Sequence, residues 1–361
     1  MADNAEAWLE ARTPWPEEFG LERMHALLAE LGDPQRRFPA IHVVGTNGKS
    51  TATKRIEKLL TEAGLRTGAT ISPHIRGWAE RITIDGREAD LEEAIARVRP
   101  AAEALGATQF EALIAAALAA FAAAEVEVAV VEAGLGGRLD ATNVLDTRVV
   151  VVTNVQLEHT EWLGSTREAI AREKLAVVRP GAKVVLGEPE WAGLAREHGG
   201  EVVFAGEDQR ALAEAAASAF AGRELHLGED VIVPGRFEWR GPDELRVGAH
   251  NPHGVAYLLE QVEPGPWTIL AGIGADKDVD AMLAGLATLG TRLVATESSS
   301  GRALEAAQLA DRARRYFAEV ETVPEPLAAL ERARAHGGRL LVTGSLYLLA
   351  DLAQAEEPGR R

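Results

Sequence analysis

Residues 41–64 read IHVVGTNGKSTATKRIEKLLTEAG, and this stretch decides the fold. The apolar run Ile41–Val44 ends in Gly45, and from Ala52 onward a Lys/Glu/Leu-rich segment continues at helical spacing. A short buried strand, a glycine turn and a helix are how a parallel sheet begins a crossover. Gly45 and Gly48 let the backbone curl so that successive N–H groups can face one anion. The helix N-terminus adds a partial positive charge and Lys49 a full one, while Ser50 or Thr51 offers a hydroxyl to a nucleotide or its Mg2+. The pattern G-x-x-x-x-G-K-[ST] is not met, because Val43 stands where its first glycine belongs. The loop is therefore a shortened one, and a plain glycine-rich strand-to-helix turn is its competing reading.

The same rhythm recurs outward from this stretch. Apolar strands are expected at VEVAVVE (126–132), RVVVVTN (148–154), KVVLG (183–187) and EVVF (201–204), then at WTILAG (267–272), TRLVATE (291–297) and RLLVTG (339–344). Ala/Leu/Glu/Arg-rich helices separate them, so parallel sheets covered on both faces are implied. The rhythm breaks over 224–247, which carries Pro234, Gly235, Gly241 and Pro242. The expected architecture is α/β: a doubly wound, mostly parallel sheet domain with a phosphate loop over 1–233, then a smaller Rossmann-like α/β domain over 234–361.

Bulk composition narrows the function. A chain of 361 residues favours two domains, and 47% hydrophobic with 26% charged residues fits a globular protein. The net charge of -17 argues against nucleic acid, so attraction for any anionic ligand must be local. Absence of cysteine excludes disulfides and thiolate metal sites. The opening MADNAEAWLEARTPWPEEF is acidic and lacks a charged-then-apolar leader, so no signal peptide is expected and the cytoplasm is the default. The run EALIAAALAAFAAA, about 14 residues, is short for a membrane span.

Three further strand-tip residues have the chemistry of a cation site. Glu132 closes one expected strand, His159 follows another that ends at Asn154, and Ser72 follows the strand-like TGATI. In doubly wound sheets ligands gather outside the carboxyl ends of strands, so Glu132 and His159 can converge beside the loop if their strands are neighbours. Taken singly, each has a bland reading: a strand-end carboxylate, a loop histidine, a turn-forming serine. Lys174, at the end of the helix REAIAREK that Ser165 is expected to cap, likewise reads as a surface lysine suited to the helix dipole.

Assembled, these segments resemble the folylpolyglutamate/dihydrofolate synthase family, within the superfamily that includes the Mur cell-wall ligases. The resemblance rests on GLERMHALLAELG, HVVGTNGKST, TGATISPHIRGWAERITIDG, TQFEALIAAAL, VAVVEAGLGGRLDATNV, VTNVQLEHTEWLGSTREAIAREK and LVTGSLYLLADL, nearly the whole length of the chain. It implies an ATP-dependent carboxylate–amine ligase that adds L-glutamate to dihydropteroate or reduced folates, with two Mg2+ and as a monomer. By the same resemblance Thr46, Asn47, Gly48, Lys49, Ser50, Thr51 and Arg236 contact ATP, and Ser72, Glu132 and His159 bind Mg2+. Lys174 matches a lysine that the family carbamylates to hold the second Mg2+. Thr108, Gln109, Phe110 and Glu111, with Gly137, Arg138 and Leu139, are implied at the pterin or folate pocket, and His250 at the phosphate or glutamate side. The second domain is implied to act as a lid on the glutamate side.

Two departures and one milder change stand against a simple carry-over. Val247 occupies the place of a family aspartate before Gly-Ala-His-Asn-Pro, and Leu212 that of an asparagine in His-Gln-x-x-Asn; Glu158 replaces the aspartate of Asp-His. Val247 and Leu212 keep open a catalytically weakened paralogue that binds nucleotide or folate, and the shared loop and metal logic leaves a Mur-type cell-wall amino-acid ligase as a second alternative.

Overall fold

The computed structural model describes residues 4–206 and 208–356. The chain divides into two compact units, the first running up to Ser72 and again over Trp78–Val231, the second taking Pro73–Gly77 and the chain from Ile232 onward.

In the first unit the strands are β1 (Ala40–Val44), β2 (Thr67–Thr70), β3 (Ile82–Ile84), β4 (Arg87–Glu88), β5 (Val128–Glu132), β6 (Thr147–Val152), β7 (Lys183–Leu186) and β8 (Glu201–Phe204). Its helices are α1 (Ala5–Glu10), α2 (Glu22–Glu30), α3 (Lys49–Glu62), α4 (Leu91–Ala104), α5 (Gln109–Ala123), α6 (Thr160–Leu163), α7 (Arg167–Leu175), α8 (Ala192–Glu197) and α9 (Gln209–Ala221). The sheet order is β4-β3-β2-β5-β1-β6-β7-β8, parallel from β2 to β8, with β3 and β4 antiparallel at one edge. Strand β1 is flanked by β5 and β6, so the loops after these three strands open side by side at the carboxyl edge.

Burial on both faces explains the continuous apolar runs. Ile41, Val43, Val149 and Val151 pack in one core with Ile56, Leu60 and Ala216, the α3 and α9 side. Val44, Val150 and Val152 pack in another with Ile170 and Leu175 of α7. Alternate residues of one strand thus serve opposite helical layers, as the strand period requires.

In the second unit the strands are β9 (Glu238–Arg240), β10 (Glu244–Val247), β11 (Thr268–Ala271), β12 (Arg292–Ala295), β13 (Glu319–Thr322) and β14 (Leu340–Thr343), with helices α10 (Pro252–Gln261), α11 (Val279–Leu286), α12 (Ala306–Ala313), α13 (Pro326–Ala335) and α14 (Leu346–Glu356). The order β13-β12-β11-β14-β10-β9 is parallel except for β9. Ile75, from the short excursion 73–77, is buried in this unit's core with Leu349 and Leu352. Both sheets thus match the α/β class expected from the sequence. Strand β13, reading EVET, escaped that analysis: it is an edge strand, exposed enough to carry charge. Helix α7 is capped by Thr166, whose side chain accepts from Ala169 N, and not by Ser165.

One buried polar chain ties β1 to the loop after β5. Asp140 accepts from Leu135 N at 2.7 Å, from Thr142 N at 3.0 Å and from the Thr142 hydroxyl; Thr142 Oγ1 lies 2.8 Å from His42 Nε2. Because the Thr142 proton goes to Asp140, His42 donates through Nε2–H, and among the described residues its Nδ1 has no partner. Burial pushes the His42 imidazole down to about 3, so it is neutral in the fold. The unfolded chain takes up this proton first as pH falls, so the neutral histidine's contribution is whole above about pH 6.5 and is lost towards about pH 3, at about 1.4 kcal/mol per pH unit. Urea unfolding of the wild type is therefore expected to fall more steeply below about pH 6.5 than that of His42→Gln; equal slopes would refute the assignment.

Candidate active site

The glycine loop is fastened from β6's side. Asn154 Oδ1 accepts from Asn47 N at 3.1 Å and its Nδ2 donates to Asn47 O at 3.2 Å, while Thr153 Oγ1 donates to the same carbonyl at 2.7 Å. Thr46 Oγ1 accepts from Gln156 N at 3.0 Å. Gly48 caps α3 in the left-handed conformation, with φ 80°. With these clamps the N-terminal amides of α3, at Gly48 to Ser50, are presented as a fixed group. Thr51 is half-buried in the first turn of α3.

Two lysines meet on one oxygen. Lys49 Nζ lies 3.0 Å from Gly45 O and 3.1 Å from Thr46 O, and Lys174 Nζ lies 2.9 Å from the same Gly45 O. The Lys174 side chain is 1% exposed and pairs with Glu158 Oε1 at 2.6 Å, so it is no surface lysine. Its burial was legible in part, since Ile170, Ala171, Lys174 and Leu175 form the buried stripe of α7. Burial draws the Lys174 amine below the ordinary lysine range, against the pull of Glu158. For Glu158, burial acts upward, but Lys174 and Lys49 outweigh it and hold the carboxyl down to about 2. His159 also lowers it, which puts the imidazole close by. The His159 backbone is left-handed, at φ 44°, an uncommon state for a non-glycine residue that strand-tip loops hold only under constraint.

A second knot lies on β1's other flank. Ser72 N donates to Glu132 Oε2 at 3.0 Å, and Ser50 Oγ lies 3.5 Å from Ser72 O. Glu132 is 3% exposed. Glu132, Ser72 and Ser50 are thus gathered at one end of the α3 N-terminus. Among the described residues no three His, Asp or Glu side chains form a ready cage for a metal. Oxygen ligands suit a hard cation, and one held here would complete its shell with phosphate oxygens and water.

The remaining first-unit residues split into two linked patches. Thr108 caps α5 in a capping box: Glu111 Oε2 accepts from Thr108 N and from Thr108 Oγ1, both at 2.8 Å, and from Arg23 Nε at 2.8 Å. These contacts commit both side chains to holding α5 and α2. Gln109 likewise ties the amino-terminal segment, its N donating to Thr13 O at 2.9 Å and its Nε2 to Leu9 O at 3.0 Å. The Phe110 ring lies against the loop after β5: a Cβ at Gly134 would sit 2.6 Å from its Cζ. A Cβ at Gly137 would sit 2.8 Å from Glu173 O and 2.9 Å from Lys174 O, so only glycine lets this loop lean on the end of α7. Arg138 seals the contact, N to Glu173 O at 2.9 Å and Nε to Glu173 Oε1 at 2.9 Å. The loop carrying Gly137, Arg138 and half-buried Leu139 therefore positions the Lys174 segment.

In the second unit, Gly248 N donates to Gly235 O at 2.9 Å, joining the turn that carries Arg236 to the loop that carries His250. His250 Nδ1 lies 2.9 Å from Gly248 O, and Asn251 caps α10 by accepting from Gly254 N at 2.7 Å. Sequence reasoning passed over Asp140 and His42; the only signal was their place beside the glycine runs, since the contact that joins them spans 100 positions.

The pairing predicts a stability signature. Glu158→Ala strands the buried Lys174 ammonium and is expected to cost about 3–5 kcal/mol in urea unfolding without nucleotide. Adding Lys174→Met should restore most of that loss; a double variant as unstable as the single one would count against the ion pair.

Two family models cover most of the chain: the Mur ligase middle domain matches residues 43–232, and the Mur ligase glutamate ligase domain matches residues 235–346. A dihydrofolate synthase/folylpolyglutamate synthase of Mycobacterium tuberculosis is 33% identical, over 82% of this chain and 78% of the relative. Among solved structures, E. coli FolC in complex with DHPP and ADP matches with a TM-score of 0.88 at 29% identity, covering 100% of this chain and 99% of that one. The bifunctional folylpolyglutamate synthase/dihydrofolate synthase of Yersinia pestis, complexed with AMPPNP and Mn ion, matches with a TM-score of 0.86 at 30% identity over 99% and 98% of the two chains. With its two-sheet fold and its glycine loop clamped between metal-suited strand tips, the chain belongs to the dihydrofolate synthase/folylpolyglutamate synthase family of Mur-type ligases.

Proposed function

We propose that the chain joins L-glutamate to dihydropteroate, to reduced folates, or to both, as an ATP-dependent amide-forming ligase working through an acyl phosphate. The observation that carries this reading is the convergence on Gly45 of two amines, Lys49 and Lys174, beside the Glu132–Ser72–Ser50 knot. A carboxylate is a poor electrophile, and ATP provides the activation. One carboxylate oxygen of the acceptor attacks the γ-phosphorus and ADP leaves. The glutamate amine then attacks the acyl carbon, loses a proton, and the tetrahedral intermediate expels phosphate to leave the amide.

Each residue contributes by charge and position. The amides at the α3 N-terminus and Lys49 hold the phosphates, exchanging the loop carbonyls Lys49 now contacts for phosphate oxygens. Thr46 and Asn47 keep the loop's shape, and Ser50 and Thr51 add hydroxyls. Ser72, Glu132 and His159 would hold one Mg2+, which when bound neutralises charge building on the transferred phosphoryl group. Lys174 would hold a second after carbamylation, in which the neutral amine attacks CO2 and releases a proton. Burial favours that neutral amine. Converted, Lys174 would set a carbamate anion against Glu158 where an ammonium now stands, and a cation between the two restores the balance.

Residues 1–233 are assigned ATP and folate, with Phe110 and the Gly137–Leu139 loop as walls of the folate pocket. Residues 234–361 are assigned the glutamate side, with Arg236 reaching ATP and His250 the phosphate or glutamate end.

The deciding assay incubates protein, ATP, Mg2+ and L-glutamate with dihydropteroate or a reduced folate and follows phosphate release and product mass. A glutamyl adduct on either acceptor is expected; none on either, with folded protein, refutes the reading. Lys174→Ala should lower turnover by at least about 100-fold while the circular dichroism spectrum is kept. Wild-type protein in 13C-bicarbonate should show a carbamate carbon resonance that Lys174→Ala lacks, and a resonance present in both would remove Lys174 from the role.

A further inference from the structure

The segment between Thr153 and Glu158 is held from two sides. Asn154 O accepts from Thr46 N at 2.9 Å and Gln156 N donates to Thr46 Oγ1 at 3.0 Å, so these two residues face the glycine loop. Val155, between them, turns its main chain the other way, as successive residues of an extended chain do. Its N donates to Glu188 Oε2 at 2.8 Å, and its O accepts from Arg167 Nε at 2.8 Å. The two clamping side chains also hold each other, Arg167 Nη2 donating to Glu188 Oε1 at 2.6 Å. Glu188 Oε2 takes a second donor, Trp191 Nε1 at 2.8 Å, and the Arg167 guanidinium lies 5.2 Å from the Trp191 ring centroid. Val155 is wholly buried, so both of its main-chain groups depend on this pair.

The pair ties three elements together. Glu188 stands just past β7, Arg167 is the first residue of α7, and Val155 precedes Glu158 on the loop after β6. Loop and helix therefore meet twice: at Arg167 on the start of α7, and near its end at Lys174 through Glu158. With the second contact alone, nothing would fix the loop's register on the helix.

We propose that Glu188 and Arg167 are positioning residues for the ligase reaction, holding the loop that carries Glu158 and His159 in register with Lys174 and the glycine loop. The proposal rests on the ligase reading above, and the need for the clamp comes from charge. While Lys174 is an amine, Glu158 attracts it. A carbamate on Lys174 is an anion, so that attraction turns to repulsion until a cation enters. The Glu188–Arg167 clamp involves neither Glu158 nor Lys174 and persists through the change.

The test uses Glu188→Ala and Glu188→Gln. Should Glu188→Ala fail to fold, Arg167→Met, which removes the donor to Val155 O, takes its place and is read in the same way. Folded Glu188→Ala is expected to turn over at least about tenfold more slowly and to need at least about fivefold more Mg2+ for half-maximal rate. Glu188→Gln keeps an oxygen for Val155 N and should stay within about threefold of the unmodified protein. A readout free of catalysis is urea unfolding without nucleotide. There Glu158→Ala raises the unfolding constant, and in the Glu188→Ala background it should raise it at least about fivefold less, because the loop is no longer held over Lys174. Equal factors in both backgrounds overturn the proposal, as does turnover of Glu188→Ala within about twofold of the unmodified protein. A slower Glu188→Ala with an unchanged Mg2+ requirement overturns it too, since the pair would then only stabilise the fold. Absence of glutamyl transfer by the unmodified protein would instead refute the ligase reading, and this proposal with it.

Discussion

The carbonyl oxygen of Gly45 is where the first unit's chemistry is tied together. It accepts from Lys49, four residues on, and from Lys174, which returns across 129 positions of sequence. Two ammonium groups on one oxygen repel, and what keeps them there is the Glu158 carboxylate on Lys174 and the clamp of Asn154 and Thr153 on the loop. In a chain of net charge -17, with Lys174 balanced by Glu158, the attraction for a polyphosphate falls to Lys49 and the amides at the start of α3. The other contacts of the strand tips follow from it: Gly137 must be glycine so that its loop can lean on the α7 end that delivers Lys174, and α3 must start where Lys49 can turn back.

Much of this was legible in the sequence because strand-tip residues announce themselves. Glu132, Ser72 and His159 each follow an apolar run, and runs of that kind end where ligands bind in doubly wound sheets. Sequence could not say which strands are neighbours; the order β5-β1-β6 supplies that, and it is non-local by nature. Lys174 was the hardest to read. A lysine at a helix end is ordinarily solvated, and only a counter-ion one loop away, Glu158, allows it to be buried. Thr108 and Glu111 show the opposite case, where a suggestive pair is occupied in capping α5 and holding Arg23.

The two departures from family text have a physical explanation in packing. Leu212 is wholly buried, in the core that joins α9 to α3 and β1, and Val247 is buried at the end of β10, paired with Thr343. At both positions an apolar side chain is enclosed by apolar neighbours, where an unpartnered asparagine or aspartate would be costly. The phosphate loop, the buried amine and the oxygen ligands beside them do not depend on either position.

The excursion of Pro73–Gly77 into the second unit makes the connectivity less simple than two beads on a string. The backbone crosses between units after Ser72, returns after Gly77, and crosses again after Val231. Ile75 fills a place in the second core beside Leu349, and a Cβ at Gly235 would already touch it at 3.2 Å. A gene fragment beginning at residue 232 would therefore encode a core with a vacancy, and one ending at 231 would display an isoleucine stripped of its cover. No single cut of the chain therefore yields both units whole.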